Sequence, residues 1–481
     1  LSRAQAREPF GQRDERYTAV LFVASLLPRL YVAIAWPREP VWDGHYYDFG
    51  ARRIAAGLGY SDGVMGQWHP WCHWPVGFSG ALASVYWVFG ATPRAATVFN
   101  AVVGALLAVA THRLAGHGLS RARARVAGAL VGAFPGLIVY SALVMSEPLS
   151  ALLLVMAGWA WVRERERHPR RGAAIAGLLL GLGTLVHPSF VAYAPALLAL
   201  EWLLLLRQAA WWPALREASV RAAIATACVL VPVLPWTARN CRVMDRCTLV
   251  SSNGGWNLAI GAFERATGRF ETLRSSDGCR VVTGQVQQDA CWRDLGLAAI
   301  RRDPARWLAL IPEKLGYTFD HESFPIEYLH EADPDRWPEP RRARAREWLT
   351  TLHRLLLCAA ALGVVTRPTL PRLTGHLGRW RALAPCAVMP LVCLTPWVLD
   401  NHPFWIVPVA TAVCGAFTSR GSPVLGYALL CLVGTMATHA VFFGEDRYHV
   451  VVTPLLCLLT AAAFRAHEPT SPAPQRTSVS S

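Results

Sequence analysis

Apolar runs long enough to cross a bilayer recur from one end of this chain to the other, separated by short arginine-rich blocks. No soluble core uses so many. In lipid every backbone N–H and C=O must be satisfied within its own segment, so such runs form helices, and the period-two alternation of a membrane barrel is absent from the sequence. With 53% hydrophobic and 16% charged residues, the chain reads as an all-α polytopic membrane protein.

The net charge of +15 would suit a nucleic-acid partner if it formed one basic face. It falls instead in blocks between apolar segments, such as Arg113 with Arg121 and Arg125, Arg163 to Arg171, and Arg216 with Arg221. That pattern sets membrane orientation, places these blocks in the cytoplasm and gives no nucleic-acid partner. Fitting spans between the blocks gives about 12 transmembrane helices (11–13) with both ends inside. The expected organisation is a cytoplasmic N-terminus, 1–18; a seven-span module, 19–236, containing a first outer loop, 37–94; a large outer loop, 237–348; C-terminal membrane helices, 349–464; and a disordered cytoplasmic tail, 465–481. Residues 76–90 are apolar but short, and a span there would turn the Arg121 block outward, so a surface-lying or re-entrant helix is expected. The first apolar stretch is span-length and runs into a charged loop, which favours a retained anchor over a cleaved signal.

Of the 12 cysteines, seven fall in expected spans, where a thiol acts as a small apolar group. Cys241 with Cys247 and Cys279 with Cys291 lie close together in the large outer loop and suit local disulfides in an oxidising compartment. Cys72 has no evident partner. His69, Cys72 and His73 are ligand types at short spacing, but the prolines and tryptophans around them suit an aromatic belt better than a metal site.

The order of segments resembles the C-class glycosyltransferase superfamily, especially bacterial relatives of the dolichyl-phosphate-mannose protein mannosyltransferases and aminoarabinose lipid A transferases. The resemblance rests on WDGHYYDFGARRIAAGLGYSDG, HWPVGFSGALASVYWVFG, MSEPLSALLLV, LVHPSF, PWTARNCRVMDRCTLVSSNGGWNLAIGAF and EDRYHVVVTPLLCLL, and spans most of the chain. It implies seven shared spans, a catalytic acid on surface-lying helices of the first outer loop, and a large outer loop after the seventh span. It also implies transfer of a hexosyl or pentosyl group from a polyprenyl-phosphate sugar to a glycan, lipid or protein acceptor, in a bacterial inner membrane.

Such a transfer needs a base for the acceptor and a cation for the departing phosphate. Asp43, followed by Gly44 and flanked by Trp42, Tyr46 and Tyr47, is the candidate base; the resemblance puts the family's acid here, and Gly44 stands where many relatives carry a second acid. Asp48 reads as a surface charge. The candidate substrate contacts are Tyr46; Glu147, an acid at the start of a span; Arg239, at the outer end of the seventh span; Lys314, the sole lysine; and Arg447, which Glu445 and Asp446 could instead neutralise. No metal ligand is assigned and no cofactor is indicated, although a divalent metal is not excluded by this chemistry. The rival reading is a transporter or flippase of a lipid-linked sugar, which would need no acid; the repeats and broken mid-membrane helices that mark transporters are not evident.

Overall fold

A computed structural model describes residues 12–36, 39–63, 68–206, 210–365, 376–418 and 421–464. The expected tail, 465–481, and the first 11 residues lie outside the described residues. Within them the chain is almost wholly helical. A two-stranded antiparallel sheet pairs Ser61–Asp62 with His69–Pro70 in the first outer loop.

The first helix, Gln12–Ala35, shows which solvent the fold is built for. Val20, Val23, Leu27, Tyr31 and Ile34 repeat every three or four residues and are all exposed, making an outward apolar stripe. Its other face buries Arg29 completely. The Arg29 guanidinium donates to Gly132 O at 2.6 Å, Val131 O at 2.8 Å and Ser25 O at 2.9 Å. Those first two carbonyls close helix Arg121–Ala133 just before Pro135, where the chain bends by 51° into the following short helices. A helix end leaves carbonyls without partners, and in an apolar surround a fixed cation satisfies them. The apolar stretch that begins with helix Arg121–Ala133 is therefore broken before Pro135.

Six described helices are long and apolar enough to cross a membrane, or seven if the bent pair is one span. The finer expectation of about 12 includes elements that fall short on this measure. Pro385–Val398 and Ile406–Thr418 are shorter apolar helices, and the last expected span divides into a 3-10 turn, Asp446–Val451, and a nine-residue helix, Thr453–Ala461. Helix Val76–Phe89 has 14 residues, roughly 21 Å at 1.5 Å per residue, less than the hydrocarbon thickness. It packs on helix Asp43–Ala55 through Tyr47, Phe78, Leu82 and Tyr86.

The arginine blocks gather at one end. Arg121 and Arg125 pair with Asp14, and Arg113 with Glu15; Arg165 and Arg221 converge on buried Glu201, and Arg170 pairs with Glu217. Asp14 lies in the first turn of the first helix and Asp43 follows its far end, the 24-residue helix itself rising about 36 Å.

The large loop carries a small core of Ala259, Ile260, Leu273, Cys279 and Trp292, which Phe443, just after helix Pro423–Val441, completes. Both expected cysteine pairs are joined, Cys241 with Cys247 and Cys279 with Cys291.

Candidate active site

Asp43 opens helix Asp43–Ala55, and the residue before it is strained. Trp42 has φ of 50°, a left-handed value that a bulky side chain rarely adopts. Its indole is held by Phe324 at 5.4 Å and Tyr328 at 5.9 Å between ring centroids. Packing from the helix Phe324–Ala332 thus fixes the turn that delivers Asp43.

The carboxylate is paired rather than free. Arg447 Nη1 donates to Asp43 Oδ2 at 2.5 Å, and Trp74 Nε1 donates to Oδ1 at 3.2 Å. Burial pushes the Asp43 pKa up, but the charge and hydrogen bond of Arg447, with help from Trp74 and His73, hold it below the usual carboxylate value. Arg447 itself lies between acids: Glu445 Oε2 is 2.5 Å from its Nε, an ion-pair contact without hydrogen-bond geometry. Its guanidinium also sits 5.1 Å from the ring centres of Phe324 and Tyr448. Asp446, expected as a possible neutraliser, turns away and accepts from the backbone N–H groups of Ser323 and Phe324.

Glu147 completes an acidic wall around Arg447. Asn100 Nδ2 donates to Leu143 O at 2.8 Å and Met145 O at 3.0 Å, pinning the segment that leads into helix Glu147–Glu164. Glu147 is consequently buried, and its Oε2 has no hydrogen-bond partner. A buried carboxylate oxygen without a partner is costly.

Tyr46 stacks on Trp74 at 3.7 Å, with Trp71 at 6.0 Å, forming an aromatic floor beside the carboxylate. His73 packs against Trp74 and Trp256, and burial pushes its pKa down to about 4 despite the nearby Asp43 charge. A narrow cleft lined by His187, Ser189, Thr435, Thr438, His439 and Tyr448 adjoins Arg447 through Tyr448. A wider cleft lined by Asp62, His69, Asp245 and Gln285 contains neither Asp43 nor Glu147.

Residues 74–236 match the family model described as dolichyl-phosphate-mannose-protein mannosyltransferase. Over those residues, about a third of its length, the chain is similar to that family. The match includes Trp74 and Glu147 and stops short of Asp43 and Arg447. No match was found among curated proteins. Among solved structures, the chain is similar to the oligosaccharyltransferase AglB of Archaeoglobus fulgidus in complex with an inhibitory peptide and a dolichol-phosphate. Identity is 14% and the TM-score 0.45, covering 94% of this chain and 50% of that one. It is similar also to ArnT of Cupriavidus metallidurans bound to undecaprenyl phosphate, at 15% identity and TM-score 0.38, covering 92% and 77%. A third, the arabinosyltransferase EmbB of Mycobacterium smegmatis, gives 15% identity and TM-score 0.30, covering 91% and 42%. The chain thus spans about half the length of the archaeal oligosaccharyltransferase.

Gly44, directly after the candidate base, leaves no room for a side chain. A Cβ on Gly44 would lie 2.8 Å from Val144 O and closer still to the Tyr328 hydroxyl. Gly44→Ala is therefore expected to destabilise the protein by about 1–3 kcal/mol through overpacking, read as a lower thermal midpoint in detergent. Adding Tyr328→Phe removes the nearest clashing atom and recovers part of that loss.

The other sequence candidates fall elsewhere. Arg239 donates to Tyr60 O at 2.6 Å, Trp71 O at 3.0 Å and Asn240 Oδ1 at 3.0 Å, and stacks on Trp236. It clamps the segment of Tyr60 and Trp71 to helix Trp211–Val243. Lys314 is fully buried and donates to Ala440 O and Val441 O, both at 3.2 Å, at the end of helix Pro423–Val441. Burial, with Arg306 nearby, pushes its pKa down to about 8. Asp48 is not a surface charge: it is buried and takes hydrogen bonds from Tyr86 and from Arg52 Nε at 2.6 Å, fastening helix Asp43–Ala55 to helix Val76–Phe89. Glu445, expected as a possible neutraliser of Arg447, does meet it, and Trp74 is the site residue that motif reading left unassigned. Trp74 stands inside the quoted HWPVGF string, yet nothing in its spacing says that its indole reaches Asp43.

Proposed function

We propose that this protein transfers a sugar from a polyprenyl-phosphate donor to an acceptor on the outer, periplasmic side of a bacterial inner membrane, with Asp43 as the base and Arg447 as the phosphate-binding cation. The observation that carries this reading is the Asp43–Arg447 pair, beyond the far end of the first helix from the arginine blocks and beside the unpartnered Glu147. The family match over 74–236 supports glycosyl transfer from a lipid phosphate.

In the reaction the acceptor oxygen or nitrogen attacks the anomeric carbon, the bond from that carbon to the phosphate oxygen breaks, and the electron pair leaves with polyprenyl phosphate. The acceptor proton passes to Asp43. A carboxylate held by a guanidinium is a weak base, so the resting pair is a guarded state. The donor phosphate competes for the Arg447 fork, and a shift of the guanidinium toward it both stabilises the leaving group and frees Asp43. Tyr46 and Trp74 offer a stacking face for the sugar ring. Arg239, in this account, shapes the loop, and Lys314 braces the large outer loop.

The test is incubation of the purified protein with a panel of polyprenyl-phosphate sugars carrying hexoses or pentoses, with membrane lipids, glycans and peptides as acceptors. The expected outcome is release of polyprenyl phosphate with at least one donor. Binding of donors with no release under any acceptor, together with movement of lipid-linked sugar across vesicles, would favour a carrier instead.

A further inference from the structure

Away from Asp43, three buried side chains converge from distant parts of the sequence. Glu322 lies just before helix Phe324–Ala332, His353 is in helix Glu339–Val365, and His449 is in the 3-10 turn Asp446–Val451. Each is at most 2% exposed. One ligand-type atom from each falls within 4.8 Å of the others.

The hydrogen bonds around them fix which ring nitrogens are bare. His353 Nε2 is 3.0 Å from Phe319 O and His449 Nδ1 is 2.8 Å from Thr318 O. A carbonyl can only accept, so those nitrogens carry the protons and His353 Nδ1 and His449 Nε2 keep lone pairs. Donation of the second ring N–H to a backbone carbonyl is the arrangement that orients metal-binding imidazoles. His353 Nδ1 and Glu322 Oε2 have no hydrogen-bond partner, and His449 Nε2 stands 3.9 Å from Glu322 Oε2. Among the described residues the ion-pair contact of Glu322 is with His449, a cation only when protonated; with that imidazole neutral the buried carboxylate lacks a compensating charge, at a cost of several kcal/mol.

We infer that Glu322, His353 and His449 bind one divalent cation of zinc type. Two imidazole nitrogens and one carboxylate oxygen suit a borderline ion such as Zn2+ better than Mg2+ or Ca2+, which favour all-oxygen shells. Ligands about 2.0 Å from a tetrahedral ion lie about 3.4 Å apart. Loading therefore draws the three atoms together and turns the two rings, now stacked at 3.8 Å, toward the ion. The ion would tie the start of helix Phe324–Ala332 to the turn that bears Arg447.

The experiment uses the full chain in detergent, stripped with chelator and then reloaded with Zn2+ or Co2+. One zinc per chain after desalting, a higher thermal midpoint with zinc, and visible d–d absorption of four-coordinate Co2+ are expected. Glu322→Gln and His449→Gln should each lose the bound ion and the Co2+ spectrum, whereas His73→Gln and Cys72→Ser should keep both. Folded wild-type protein that takes up no stoichiometric zinc overturns the inference, even if a variant fails to fold. So does zinc retained in both Glu322→Gln and His449→Gln.

Discussion

Asp43→Asn lowers sugar transfer by about two to four orders of magnitude, the range that a positioned general base contributes, while the protein folds and binds donor. Asparagine keeps an oxygen for the Trp74 indole, and Arg447 keeps its contact with Glu445. The substitution therefore removes a charge and a proton acceptor without opening a cavity. The pH dependence follows from the same contacts. With the Asp43 pKa held below its ordinary value, the carboxylate stays ionised through neutral and mildly acidic pH. Its stabilising pairing with Arg447 is fully present above the unfolded pKa of about 3.9 and is lost only as pH falls through the lower folded value. In the donor-free enzyme any fall in kcat/KM between pH 5 and 7 must then come from another group, and the wild-type pH profile of kcat/KM checks this.

Arg447→Gln is expected to reduce turnover by about two to three orders of magnitude, as loss of a donor to a developing anion does, and to weaken donor binding as well. It carries a second signature. Removing the guanidinium leaves Asp43 and Glu445 as neighbouring, partly buried carboxylates with no cation between them, and like charges favour protonation. The acidic limb of the pH profile should move upward relative to wild type. Arg447→Lys should recover little, because a single ammonium cannot serve Asp43 and Glu445 from two edges at once while stacking on Phe324 and Tyr448. A lysine variant with near-normal activity would show that only charge matters there.

What the sequence could and could not reveal follows from the range of each interaction. Hydrophobic runs and arginine blocks report local solvent, so the helical membrane architecture was readable directly. The break at Pro135 was less so, because the cation that makes it tolerable, Arg29, lies more than 100 positions earlier. The same limit explains the arginines. Arg239 and Arg447 both follow an apolar run and both looked fit for phosphate; only the tertiary structure shows that one meets the carbonyls of Tyr60 and Trp71 and the other meets Asp43. Asp48 was misjudged because Tyr86, its buried partner, sits on a neighbouring helix. The Glu322, His353 and His449 cluster left no spacing signal at all, since its members come from a loop, a long helix and a short turn.

The account depends most on Asp43 and Arg447 acting on one donor in different ways. The direct measurement is donor binding and polyprenyl-phosphate release, made on the same preparations of wild type, Asp43→Asn and Arg447→Gln. The account predicts near-normal binding without release for Asp43→Asn, and weakened binding with little release for Arg447→Gln. Release by Asp43→Asn at the wild-type rate would contradict it.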